Sequence, residues 1–141
     1  MRKTLRVVLD TNVFVSSFIF QKSLYRITEA WKKDQFIWIV SPEILKEYIS
    51  VISRPKFHQT EKEVQTVASF FTRAVSAGLI ESVMPKIKLS LVKKDPKDNM
   101  FLEAAIESKA DSIVTGDRHL LDLKSYKDIQ ILLPAEFLRI I

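Results

Sequence analysis

Apolar residues in this chain fall in short, largely β-branched runs separated by longer amphipathic stretches. The runs at Leu5–Leu9, Phe36–Val40, Leu79–Val83, Ser112–Thr115 and Ile129–Leu132 are each short enough for a strand, and most are continuous rather than alternating. Continuous runs suit strands covered on both faces, so they predict a buried parallel sheet. The stretches between them carry helix signals with recognisable ends. Ser41-Pro42-Glu43 combines an N-cap, a proline at the first helical position and a first-turn acid, predicting a helix through about Ile52. Thr60-Glu61-Lys62-Glu63 has capping-box spacing, and Val64, Val67, Ala68, Phe71 and Val75 make an apolar stripe that stops at Gly78. Asp95-Pro96 opens a further helix through about Lys109. Strands alternating with helices predict an α/β fold, a three-layer α/β/α sandwich around a central parallel sheet. No repeat, linker or low-complexity tract divides the 141 residues, so residues 1–141 read as one domain.

Composition narrows the chemistry. The only two glycines, Gly78 and Gly116, lie far apart, which excludes a Gly-rich dinucleotide turn and a phosphate-cradling loop. With no cysteine and two histidines, thiolate metal sites, disulfides and cysteine nucleophiles are excluded, and an imidazole cage has little material. Carboxylates and hydroxyls remain. Met1-Arg2-Lys3 and the apolar residues after it imitate a secretory signal, but Asp10 and Asn12 interrupt it and no small-residue cleavage site follows. No stretch reaches membrane-span length, so the expected location is the cytoplasm.

Two of the acids stand where open α/β sheets bind ligands. Asp10 ends the first strand run and Asp117 ends the Ile113-Val114-Thr115-Gly116-Asp117 run, both at the carboxyl edge, with Gly116 read as permitting a tight exit. Each is also a natural cap for the helix that follows. Asp98 shares its helix face with Phe101, Leu102 and Ala105, while Glu103 and Glu107 are expected to face outward. Asp95 fits the cap role and Asp98 the ligand role, although the spacing lets either approach a metal. Glu47 borders the stripe of Ile44, Leu45, Tyr48, Val51 and Ile52, where a solvated glutamate is the commoner case. Four converging carboxylates repel one another unless a cation joins them. Oxygen-only ligands favour Mg2+ or Mn2+, one or two ions, and such a site suits phosphodiester hydrolysis. Lys86, Lys88, Lys93, Lys94 and Lys97 form a basic run ahead of Asp98 and, with Arg118, are candidate contacts to a phosphate backbone. The aromatic residues Phe18, Phe20, Trp31, Trp38, Phe70 and Phe71 read as core or interface rather than stacking platforms.

Taken together, these segments resemble the PIN-domain ribonucleases, and among them the VapC-type toxins of prokaryotic toxin-antitoxin pairs. The resemblance is carried by Val8-Leu9-Asp10-Thr11-Asn12-Val13, by Glu47 within Ser41-Pro42-Glu43-Ile44-Leu45-Lys46-Glu47-Tyr48, by Asp95-Pro96-Lys97-Asp98-Asn99 and by Val114-Thr115-Gly116-Asp117-Arg118-His119-Leu120-Leu121. Arg54-Pro55-Lys56-Phe57 and Pro134-Ala135-Glu136-Phe137-Leu138 look like the same branch. The resemblance implies a Rossmann-like sandwich and Mg2+- or Mn2+-dependent cleavage of single-stranded RNA. Asp10, Glu47, Asp98 and Asp117 would form the catalytic site, with Asp10, Asp98 and Asp117 holding metal. Thr115 would order the site and Asn12 would orient Asp10 by hydrogen bonding. A homodimer and a small antitoxin blocking the acid pocket are also implied. Two other readings stand beside this one: a PIN-like binding module without turnover, and an aspartyl-phosphate phosphatase of the haloacid-dehalogenase type. The phosphatase wants a second Asp two positions after the first, where this chain has Asn12.

The charge sum gains meaning at this point. The chain carries 22 Lys and Arg against 17 Asp and Glu, a formal +5. With the four proposed site acids set aside, 13 carboxylates face those 22 cations. A basic exterior around a small acidic pocket is expected, suited to a polyanion.

Overall fold

The computed structural model describes residues 3–20, 24–89 and 96–141. Strand β1 (Leu5–Leu9) is followed directly by a short helix α1 (Thr11–Phe14), which runs into a π-helical turn at Val15–Ile19. Helix α2 (Tyr25–Lys32) leads to β2 (Phe36–Val40) and α3 (Pro42–Ile52). A 3-10 turn at Pro55–Phe57 precedes the long α4 (Glu61–Ser76) and the short β3 (Glu81–Ser82). A second 3-10 turn, Pro96–Asp98, opens α5 (Asn99–Ser108), which feeds β4 (Ser112–Val114) and α6 (Arg118–Leu121). The hairpin of β5 (Ser125–Tyr126) with β6 (Ile129–Leu132) and the closing α7 (Pro134–Ile140) complete the order.

The six strands form one sheet in the order β3-β2-β1-β4-β6-β5. All pairings are parallel except the β5–β6 edge, with Val8 opposite Ile39 on one side and Ile113 on the other. The architecture is the expected three-layer α/β/α sandwich. Val7, Val8, Leu9, Trp38, Ile39, Val40, Ile113 and Val114 are all buried, as their continuous runs require. Because β2 and β3 lie to one side of β1 and β4 to the other, the chain changes direction beside β1. Its carboxyl end, next to that of β4, is therefore the topological switch point, where such sheets leave a crevice.

The capping signals fold as written. Ser41 Oγ accepts the Ile44 N–H at 3.2 Å, and Thr60 and Glu63 exchange the reciprocal bonds of a capping box at 3.1 and 3.0 Å. Three features depart from the sequence pattern for local reasons. The run from Leu79 to Val83 joins the sheet only from Glu81 onward, with the Val83 N–H bonded to the Val40 carbonyl at 2.9 Å, because the Leu79 and Ile80 N–H groups turn back to the Ala74 carbonyl at 2.9 and 3.3 Å. The hairpin strand β5 was not foreseen, being two residues between Lys124 and Lys127, both at positive φ. Glu103 does not face outward: it is 5% exposed and accepts the Leu89 N–H at 2.7 Å, while Glu107 accepts the Lys86 N–H at 3.0 Å. Both carboxylates satisfy backbone groups of the segment ahead of α5, so this helix is enclosed on more sides than its stripe indicates.

The two glycines differ in what they require. Gly78 ends α4 at φ +78°, a left-handed conformation that an L side chain resists, whereas Gly116 lies outside that region with open space where a Cβ would point. The short exit from β4 to α6 at Gly116 thus does not depend on a left-handed glycine. Gly78→Ala is expected to lower stability by about 1–2 kcal/mol and Gly116→Ala to raise it by about 0.4–1 kcal/mol, as read by denaturant unfolding. Equal effects at both positions would contradict this assignment.

Candidate active site

Asp10 follows the last residue of β1 and is 4% exposed. Its backbone N–H continues the β1–β4 ladder to the Val114 carbonyl at 3.0 Å, which fixes the residue at the switch point. One carboxylate oxygen accepts the Val13 N–H at 2.8 Å and the other accepts the hydroxyl of the fully buried Thr115. The Thr115 oxygen in turn accepts the Asp117 N–H at 2.9 Å, so one hydroxyl couples the two acids. Asp117 caps α6 through the His119 N–H at 2.7 Å. Both acids therefore perform the cap role and also face the crevice; the alternatives weighed from sequence are compatible.

The other two acids arrive on helices pinned to the same edge. Tyr48 is fully buried and its phenol donates to the Leu9 carbonyl, anchoring α3 beside the residue that precedes Asp10. Its neighbour Glu47 is half-buried and lines the crevice. Asp98, at the end of the 3-10 turn before α5, is 7% exposed and lines the same crevice. Asp10, Glu47, Asp98 and Asp117 thus line one cavity of about 220 Å³, shared with Asn12, Lys97, Arg54, Lys56 and Phe57. Asn12 forms part of the wall, while the hydrogen bonds to Asp10 come from Val13, Thr115 and the Gly116 backbone.

The electrostatics match this crowding. Burial pushes the Asp10 carboxyl above its ordinary range, against the hydrogen bonds from Thr115, Val13 and the Gly116 backbone, and the charge of Asp117 pushes the same way as burial. Burial likewise keeps the Tyr48 phenol protonated well beyond its usual range. Oxygen or nitrogen atoms of Asp98, Asp117 and His119 lie within 4.8 Å of one another, a spacing that one cation can bridge. His119 was not singled out from the sequence, although its place two residues after Asp117 on a capped turn could have marked it.

Of the candidate phosphate contacts, Lys97 lines the cavity and Arg118 stands exposed at the start of α6, outside the lining. Lys88 is held by Glu43, with Glu103 at 3.8 Å. Lys93, Lys94 and Asp95 lie outside the described residues. Sequence reasoning gave no role to Arg54, Lys56 and Phe57, which the turn after α3 brings into the cavity wall beside Glu47. Among the described residues, the ion pairs involve none of Arg54, Lys56 and Lys97.

Comparison with known proteins agrees with this geometry. A family model described as PIN domain matches residues 6–119. The uncharacterized protein MJ1680 of Methanocaldococcus jannaschii is 31% identical over 121 residues, covering 85% of this chain and 76% of that relative. Among solved structures, VapBC2 from Rickettsia felis bound to a DNA fragment from its promoter has a chain of similar fold. The superposition has a TM-score of 0.57 at 17% identity, over 90% of this chain and 97% of the other.

Proposed function

The chain belongs to the PIN-domain family, and from that premise we propose that it is a metal-dependent endoribonuclease acting on single-stranded RNA, the toxin of a toxin-antitoxin pair. The observation that carries this reading is the gathering of four carboxylates from distant parts of the chain into one cavity at the switch point, with three cations in or beside its wall. The toxin role draws on the VapBC2 likeness. The same reading takes residues 1–141 as one PIN domain, working as a homodimer in the cytoplasm with a small antitoxin as its regulatory partner. One sheet containing strands from Leu5 to Leu132 supports the domain assignment.

The donor set fits a hard divalent cation. Carboxylate oxygens dominate, Asp10 is a buried acid that gains from a positive neighbour, and Asp98 and Asp117 are close enough to share one. Asp10, Asp98 and Asp117 would hold Mg2+ or Mn2+, one or two ions. Such an ion, when bound, lowers the pKa of water and offsets charge developing on an in-line phosphoryl displacement. The protein's own contribution is positional. Thr115 and the Val13 N–H fix the orientation of the Asp10 carboxylate, and Thr115 ties Asp117 to it. Glu47 adds a fourth carboxylate to the lining, on a helix locked by the Tyr48–Leu9 bond. Lys97 offers a counter-charge to the phosphate.

The test is titration of Mg2+ and Mn2+ with a single-stranded RNA substrate, comparing the purified wild-type chain with Asp98→Asn. Cleavage is expected only with metal, and the variant should lose at least about 100-fold in rate while keeping its circular dichroism spectrum. Undiminished cleavage by pure Asp98→Asn would remove the assignment. A phosphoryl group trapped on Asp10 would instead support the phosphatase alternative.

A further inference from the structure

The turn that follows α3 has the features of a substrate subsite. Pro55 at its first position and the Phe57→Arg54 and His58→Pro55 backbone bonds, both 3.0 Å, hold Arg54, Lys56 and Phe57 in a fixed arrangement. Gln59 Nε2 adds a bond to the Phe57 carbonyl at 3.2 Å, and the Arg54 N–H bonds to Val51 at 3.1 Å, so the turn is a rigid extension of the helix that carries Glu47. The Lys56 ammonium rests 5.1 Å from the centre of the Phe57 ring. Beyond Phe57 lies Phe20, its ring centre 5.7 Å away and tilted by 34°. Phe20 is held by the closing bond of the π-helical turn, from its N–H to the Val15 carbonyl at 3.1 Å, yet it is 40% exposed.

Size decides what this arrangement can receive. The acidic cavity, at about 220 Å³, is smaller than the roughly 300 Å³ at which small-molecule sites begin. That space matches a phosphodiester and part of a sugar, which leaves the adjoining base to the surface beside it. The exposed aromatic ring reached through Phe57 offers an apolar face there, and Arg54 and Lys56, both exposed and both in the lining of the acidic cavity, provide charge next to Phe57. Base-on-ring stacking needs an unstacked nucleotide, which a duplex does not offer.

We propose that Phe20, Phe57, Lys56 and Arg54 form a nucleotide subsite beside the acidic cavity, in which one base of a single-stranded RNA stacks on Phe20 and the adjoining phosphate sits against the two cations. This rests on the reading of the cavity as an RNA-cleaving site. The subsite makes binding depend on the presence of a base at one position while remaining tolerant of which base it is, because every base has a stacking face.

The test uses a labelled single-stranded RNA and a matched set in which one nucleotide at a time is abasic. Binding is measured by anisotropy in Mg2+ with Asp98→Asn, so that the strand stays intact. One abasic position should weaken binding about 10-fold, and the added Phe20→Ala change should erase that penalty, while Phe20→Trp restores it. Lys56→Ala and Arg54→Ala should each reduce the dependence of log affinity on log salt concentration by about 0.7, uniformly across sequences. In the cleavage-competent chain Phe20→Ala should act mainly through KM. An abasic penalty that survives Phe20→Ala, or no penalty at any position, would overturn the subsite and leave the two rings as packing. Cleavage by the wild-type chain reports on the parent reading separately. RNA bound with a Phe20-dependent penalty but left uncut removes the nuclease assignment and keeps the subsite; RNA cut with no such penalty does the reverse.

Discussion

Asp10→Asn is expected to lose at least about 100-fold in RNA cleavage while melting, without divalent metal, at or above the wild-type temperature. The two halves of this result have one cause. Asp10 is buried at the end of β1, and its carboxyl is pushed above the ordinary range because burial and Asp117 outweigh its three hydrogen-bond donors. A charge kept there without a cation costs the fold stability. The amide of Asn retains an oxygen for the Val13 N–H and removes that charge, with a small loss where Thr115 must change from donor to acceptor. Metal reverses the order. Mn2+ should raise the melting temperature of the wild type by binding only the folded state and leave Asp10→Asn nearly flat. Scanning calorimetry with and without Mn2+ checks this. If the variant instead melts lower by the equivalent of about 0.5–2 kcal/mol and still responds to Mn2+, Asp10 is a helix cap and nothing more.

How much of this site was legible in the sequence depends on the range of the signal. Asp10 and Asp117 could be placed because a continuous apolar run fixes a buried strand, and the residue after it falls at the sheet edge. Thr115 lies in the same run, but its role in ordering the site came only from the family resemblance. The pairing of β1 with β4, which makes those two edges adjacent, is a long-range fact; the order of strands gave it, and the Asp10 N–H to Val114 bond records it. The first helical segment was obscured for a different reason. Val13, Phe14, Val15 and Ser17 are all buried, and the π-helical turn from Val15 shifts the phase, so no single 3.6-residue stripe emerges. Arg54, Lys56 and Phe57 were visible as a motif but not as a site. Nothing local says that a 3-10 turn after α3 folds over the end of β1; the Tyr48–Leu9 bond and the packing beneath it decide that.

That packing centres on Phe14, and Phe14→Ala is expected to cost about 3–5 kcal/mol, a fall of roughly 10–15 °C in melting temperature. Phe14 is 1% exposed and lies in α1, immediately after the Asp10 cap, with its N–H bonded to the Asp10 carbonyl at 3.0 Å. Its ring stacks on Tyr48 at 4.2 Å and 14°, and it meets Phe71 at 5.5 Å, Trp38 at 6.0 Å and Phe18 at 6.1 Å. Such aromatic contacts add to the area term, and truncation leaves a cavity that four rings cannot all close. Stability of the whole domain is about 5–15 kcal/mol, so the loss is a large fraction of it. Phe14→Leu, which fills most of the space, should cost only about 1.5 kcal/mol. The position gives the change a second consequence. The ring lies between the segment that carries Asp10 and the helix that carries Glu47, and its stacking partner Tyr48 is the residue that bonds to Leu9. Phe14→Ala, assayed well below its melting temperature, should therefore bind Mn2+ more weakly than wild type, with Phe14→Leu between them. Unfolding curves and Mn2+ titration of the three proteins test both statements. A Phe14→Ala variant that melts within about 3 °C of wild type, less than 1 kcal/mol at this size, would show that the aromatic cluster does not fasten the two walls of the site together.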